Sequence, residues 1–195
     1  MCHDRLPSKL PNISDKHIEF SPENSVTFAL YQEYNLYNEN ISLVKAHLEN
    51  IEKFILYNTD IFPAEWKAIA LTLQSQRVPN VWETACCRPS THTLKSWIKT
   101  QCIRYTQLKE IAEKNFKNIH MLDASILREP TRLLSSLTIQ RSMELKLSLK
   151  ECELFFEVRE DEDFNSSMNL MSQVKSKGNH LVKHRPSVVY WRGID

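Results

Sequence analysis

The sequence predicts a mainly α-helical chain, one long helix and three shorter ones, with a small β-rich C-terminal part: an α+β fold. Three observations predict it. A stripe of apolar residues keeps the helical period from Leu30 to Ile55, prolines and turn residues then divide the chain at helix-sized intervals, and beyond residue 143 the period shortens to two.

The long helix comes first. Leu30, Tyr34, Tyr37, Ile41, Val44, Leu48, Ile51 and Ile55 follow one another at alternating spacings of four and three. This keeps one stripe on one side of a helix for about seven turns. Glu39, Lys45, Glu49, Asn50 and Lys53 lie opposite. Such a stripe serves either as a coiled-coil or docking seam, or as a face covered by its own domain. The second reading is favoured, because the stripe spans only about the three or four heptads at which a coiled coil is first recognisable.

Turn chemistry at Asn58-Thr59-Asp60 ends that helix near Tyr57, and Pro63 stands where a first helical turn accepts proline. Trp66, Ile69, Ala70 and Leu73 mark the second helix, which Val78-Pro79 closes. The third begins after Pro89-Ser90, with Ser90 or Thr91 as its cap, and buries Leu94, Trp97, Ile98, Tyr105, Leu108 and Ile111. In between, Val81-Trp82 plugs a turn into the core. The fourth runs from Pro130 through Leu133, Leu134 and Leu137 to about Met143. Leu145, Leu147 and Leu149 then alternate with polar residues, the period of a half-buried strand, and further strands are expected at Leu154–Val158 and Ser187–Trp191. The domain reading is a poorly ordered lead-in at 1–22, a helical region at 23–143, and a β-rich part at 144–195 with a loop at 159–180.

Composition narrows the function. Hydrophobic residues make up 42% and charged residues 25% of the 195, ordinary globular values that allow a real core. Lys+Arg 25 against Asp+Glu 24 argues against a broad surface for nucleic acid or anionic lipid. No signal peptide and no membrane span is legible, and five cysteines without regular spacing suit a reducing compartment. The expectation is an intracellular, soluble protein. Only two glycines occur, Gly178 and Gly193, so no P-loop, dinucleotide fingerprint or nucleophile elbow can be written.

The chemical candidates are weak. Cys86-Cys87 with His92 lacks the paired spacing of a structural zinc site. His180 and His184, if extended, stand about 13 Å apart, too far for one ion. Ser96 and Lys99 fit a short acyl-transfer pattern whose companion motifs are missing. Trp66, Trp82, Trp97 and Trp191 read as core rather than a base-stacking surface. No cofactor, metal or catalytic residue is expected.

The punctuation itself carries a resemblance. Val78-Pro79-Asn80-Val81-Trp82, then Pro89-Ser90 with Leu94, Ser96, Trp97 and Ile98, follow a long amphipathic helix in which Gln32-Glu33 precedes Tyr37-Asn38. Pro130 with Leu133-Leu134 and Leu137, and Pro186 with Ser187-Val188-Val189-Tyr190-Trp191, come later in the same order. This series resembles the C-terminal region of dynein heavy chains from about residue 25 onward. Spacing after Trp82 hints at the intraflagellar-transport (dynein 2) branch. The departures are one extra residue between Trp82 and Pro89, the glycine-free Leu122-Asp123-Ala124-Ser125-Ile126, and strands after Val158 that align poorly.

The resemblance implies a helical and β-rich brace against an AAA+ motor ring, with the last strands of the usual module missing. Its partners would be the ring and other dynein subunits, and microtubules only indirectly; neither nucleic acid nor membrane is implied. The setting would be the cytoplasm and cytoskeleton, the cilium included, and any ATPase would belong to a longer chain. The interaction and structural positions are then Leu30, Tyr34, Tyr37, Ile41, Val44, Leu48, Ile51, Ile55, Pro79, Trp82, Pro89, Leu94 and Trp97. The rival expectation is a self-contained helical module that binds or dimerises through the same stripe; an enzyme using Ser96 or Cys87 ranks third.

Overall fold

No proline or glycine interrupts residues 25–57, and that run forms a single helix, α1 (Ser25–Tyr57), entered through a 3-10 turn at Pro22–Asn24. The computed structural model describes residues 6–13, 18, 21–57, 63–85, 93–116, 121–124, 127–159, 169–176 and 188–190. Its described part is mostly helical. Helix α2 (Ala64–Gln74) starts directly after Pro63, α3 (Asn80–Ala85) directly after Pro79. Helix α4 spans Leu94–Glu113, strand β1 spans Met121–Asp123, and α5 (Pro130–Leu145) carries its proline in the first turn, where a missing N–H costs no helical bond.

Four differences from the sequence reading have local causes. Among the described residues there are four shorter helices, not three, because Val81-Trp82 lies in α3, where the Trp82 and Glu83 amides both donate to the Pro79 carbonyl (2.9 and 3.2 Å). The cap of α4 is Thr93: its Oγ1 accepts the Ser96 amide at 3.3 Å. Ser90, Thr91 and Pro89 lie outside the described residues. The alternation at Leu145, Leu147 and Leu149 does not form a strand. Instead α5 runs to Leu145, Lys146 turns left-handed (φ 54°), and Leu149–Glu151 makes a 3-10 turn. The loop expected at 159–180 contains a strand, β3.

The backbone of β2 (Cys152–Arg159) pairs antiparallel with β3 (Asn169–Ser176) in eight-residue register, from Cys152 opposite Ser176 to Arg159 opposite Asn169. Strand β4 (Val188–Tyr190) pairs antiparallel with β3 at Met171 and parallel with β1, from Met121 opposite Val188 to Asp123 opposite Tyr190. The sheet order is β1-β4-β3-β2.

The chain gathers into two units, one of Met1–Pro11 with Tyr34–Leu108, the other of Asn12–Glu33 with Lys109–Asp195. Both are discontinuous in sequence, so the boundaries that composition suggests near residues 22 and 143 do not coincide with theirs. In the first unit the lead-in is not loose along its whole length. Leu6 and Leu10 are buried, and Ser8, Leu10 and Pro11 are hydrogen-bonded to α1.

Candidate functional site

Within the first unit, the α1 stripe meets α3 and α4. Tyr34, Tyr37, Ile41, Val44 and Ile51 are buried and Leu48 is half-buried, whereas Ile55 is 71% exposed. The covered stripe therefore ends one step earlier than its period suggests. Below it Phe54 takes over as the packed residue, its ring edge-on to Trp66 of α2 at 5.0 Å.

Trp82 fills the bend between α2 and α4. It is 1% exposed, stacks on Trp97 with centroids 5.5 Å apart at 29°, and donates its indole N–H to Nδ1 of His47 on α1 (3.1 Å). Burial of so large an apolar surface holds the bend, and the polar handle fixes the ring's direction. Val78, Pro79 and Leu94 are buried around it, and the two flanking segments are tied by the Leu94 amide donating to the Gln76 carbonyl at 2.9 Å. Arg77 and Thr93 form a bridge beside that bond.

Further up the stripe, the Arg104 guanidinium of α4 sits 5.7 Å from the centre of the Tyr37 ring, a cation–π contact, and Tyr105 tilts against the same ring at 6.2 Å. Burial pushes the Tyr37 hydroxyl well above the ordinary phenol value; Arg104 pulls it partly back, while Cys102 and Tyr105 add to the rise. Burial also raises Tyr34, with Tyr105 adding to it.

The second unit holds the first turns of α1, including the buried Leu30. Here sequence reasoning missed a residue. Glu33, 2% exposed, accepts the Arg128 amide on Oε2 (2.8 Å) and the Glu129 amide on Oε1 (2.7 Å). These amides lead into α5, so the carboxylate does the work of a cap that Glu129, the residue at the cap position, makes with no side-chain bond. Next to it, Gln32 Oε1 accepts from Arg132 at 3.1 Å. The Ser25 hydroxyl reaches the Ser136 carbonyl (3.1 Å), Thr27 donates to the Phe116 carbonyl (3.2 Å), and Tyr31 meets the Phe116 ring edge-on at 5.9 Å. The only advance signal for Glu33 was its place in the Gln32-Glu33 pair.

Among the described residues no group of three His, Cys, Asp or Glu could hold a metal. Ser96 and Lys99 share no hydrogen bond; the Ser96 amide serves the helix cap and its carbonyl accepts from Thr100. Cys86, Cys87, His92, His180, His184, Pro186 and Trp191 lie outside the described residues. Within each unit, the described aromatic, cationic and carboxylate contacts tie one helix to its neighbours.

The series of helix, Val-Pro-x-x-Trp bend and second helix is matched independently. The family model for the C-terminal domain of dynein heavy chains matches residues 2–183. The chain belongs to that family. The match includes the lead-in as well as the helices and most of the strand-bearing part. No curated protein matches the chain. Family membership accords with association with other dynein components and a cytoskeletal setting. Among the described residues no helix is long and apolar enough to cross a membrane.

Proposed function

We propose that this chain is the C-terminal segment of a dynein heavy chain, or a small dynein-related protein, that braces or modulates an AAA+ microtubule motor and has no ATPase of its own. The observation that carries the reading is the family match across residues 2–183. The two-glycine composition, which leaves no Walker loop to write, supports the missing ATPase. The partners are the motor ring and other dynein subunits, with microtubules reached only through them. The place of action is the cytoplasm or the cilium, and the spacing after Trp82 favours the dynein 2 branch. The strands β2, β3 and β4 form a β-rich terminal module in this reading.

The rival module, which would dimerise through the α1 stripe, has less support, since the stripe is buried from Leu30 to Ile51 except for half-buried Leu48. Affinity capture of the tagged chain from ciliated cells tests the reading. Recovery of motor-ring polypeptides is expected, with no ATP hydrolysis by the purified chain alone. A chain that sediments by itself in those extracts, or that hydrolyses ATP when pure, would overturn it.

A further inference from the structure

Two Leu-Pro dipeptides stand four residues apart in the lead-in, Leu6-Pro7 and Leu10-Pro11. Each proline keeps the leucine before it off the helical region, so the segment runs without regular structure while its two leucines are buried. Ser8, Lys9 and Pro11 between and after them are exposed.

What α1 offers this segment is unusual in kind. Asn38 grips one residue from both sides: its Oδ1 accepts the Leu10 amide at 2.8 Å and its Nδ2 donates to the Leu10 carbonyl at 3.2 Å. The Tyr37 hydroxyl donates to the Ser8 carbonyl at 3.2 Å, and the Tyr34 hydroxyl to the Pro11 carbonyl. All of these bonds go to the main chain, and none to a side chain of the segment. Proline-containing extended chains leave their carbonyls without internal partners, so tyrosine hydroxyls and a side-chain amide are suited to read them. Both phenols are neutral at ordinary pH and so can donate.

We propose that Tyr34, Tyr37 and Asn38 form a peptide-binding site for the pattern Leu-Pro-x-x-Leu-Pro, occupied by this chain's own Leu6–Pro11 as a displaceable strap. Specificity lies in two leucine anchors and the proline-set backbone. The two middle positions, exposed here, are free to vary. A foreign segment of the same pattern enters when the strap leaves, and the tethered strap competes with it at high effective concentration.

The test uses the full chain and a fluorescently labelled peptide of residues 6–13, Leu-Pro-Ser-Lys-Leu-Pro-Asn-Ile. Leu10→Asp removes one anchor of the strap and opens the site. The peptide should then bind saturably, bind wild type about ten- to a hundredfold more weakly because the strap occupies the site, and lose binding when Asn38→Ala is added. No binding to Leu10→Asp with a wild-type helical spectrum overturns the proposal, as does equal binding with Asn38→Ala present. Should Leu10→Asp fail to fold, hydrogen exchange on the wild-type chain decides. Excess peptide should speed exchange of the Leu10 amide and leave interior α1 amides unchanged; a Leu10 amide that exchanges only with global unfolding rules out a displaceable strap.

Discussion

Glu33 shows how much a single side chain carries in this protein. Both carboxylate oxygens receive successive amides at the entrance of α5, and the residue is almost fully buried. Removing the acceptor leaves two part-buried backbone donors without this partner, each worth up to roughly 1–3 kcal/mol. Glu33→Ala should therefore lower stability by about 3 kcal/mol, read from the urea midpoint, while Glu33→Gln, which keeps one acceptor, should lose less. An alanine variant with an unshifted midpoint would contradict the capping role. The tyrosines give a pH dependence. Tyr34 and Tyr37 both titrate above the ordinary 10.0 in the folded chain. Above that value the unfolded chain releases phenol protons that the folded chain retains, so it binds fewer protons and stability falls as pH rises. Stability from this source is fully present below about pH 10 and declines above it. Tyr37→Phe should flatten that decline in an alkaline urea series. At this scale the sequence was legible for anchors and silent about partners. Trp82 read as core from its type and setting, but His47 lies 35 residues away, and the amides held by Glu33 lie 95 and 96 away.

Elements were legible where their signals are local: turn residues announced the end of α1 near Tyr57, but the closures of α2, α4 and α5 were not legible. Prolines announced the entrances of α2 and α5, and the stripe announced α1. The exits lack the usual glycine, since the chain has only Gly178 and Gly193. Three helices nevertheless end in the same motif. After α2, Gln76 is left-handed (φ 57°), its amide donating to Leu73 and that of Arg77 to Thr72. After α4, Asn115 (φ 50°) donates to Ala112 and Phe116 to Ile111. After α5, Lys146 (φ 54°) donates to Met143 and Leu147 to Ser142. This is the Schellman closure, normally built on glycine because a side chain at Cβ crowds the left-handed region. Asparagine tolerates it; glutamine and lysine are read from sequence as helix formers, which is why the leucine alternation around Lys146 looked like a strand. Gln76→Gly and Lys146→Gly, both at exposed positions, should each raise stability by roughly 0.5–1 kcal/mol, and Asn115→Gly by less. Thermal melts of the three variants check this; a destabilising Lys146→Gly would mean that the lysine side chain holds the closure.

For the whole molecule the question is where the apolar surface goes. The near balance of Lys+Arg 25 and Asp+Glu 24 argues against a long-range steering field from net charge. The family was legible because its punctuation is a matter of residue type and order; the pairing of β1 with β4 was not, since those strands stand more than sixty residues apart and neither repeats long enough to show a period. The α1 stripe would have been the natural seam of a dimer. From Leu30 to Ile51 all of it except half-buried Leu48 is already buried within the chain, and the exposed large aliphatics among the described residues are Ile55, Leu56, Leu71, Met143 and Leu149. Single exposed aliphatics are ordinary on a monomer, whereas a stable interface removes about 800 Å² per partner. The mass from sedimentation equilibrium should thus stay that of one chain between about 1 and 100 μM, with the helical signal constant. Val44→Asp should then lower helicity to the same extent at every concentration, because the contact it breaks is within the chain. Helicity that rises with concentration in wild type, and only there, would show that the stripe closes between chains instead, and would favour dimerisation over the bracing proposed above.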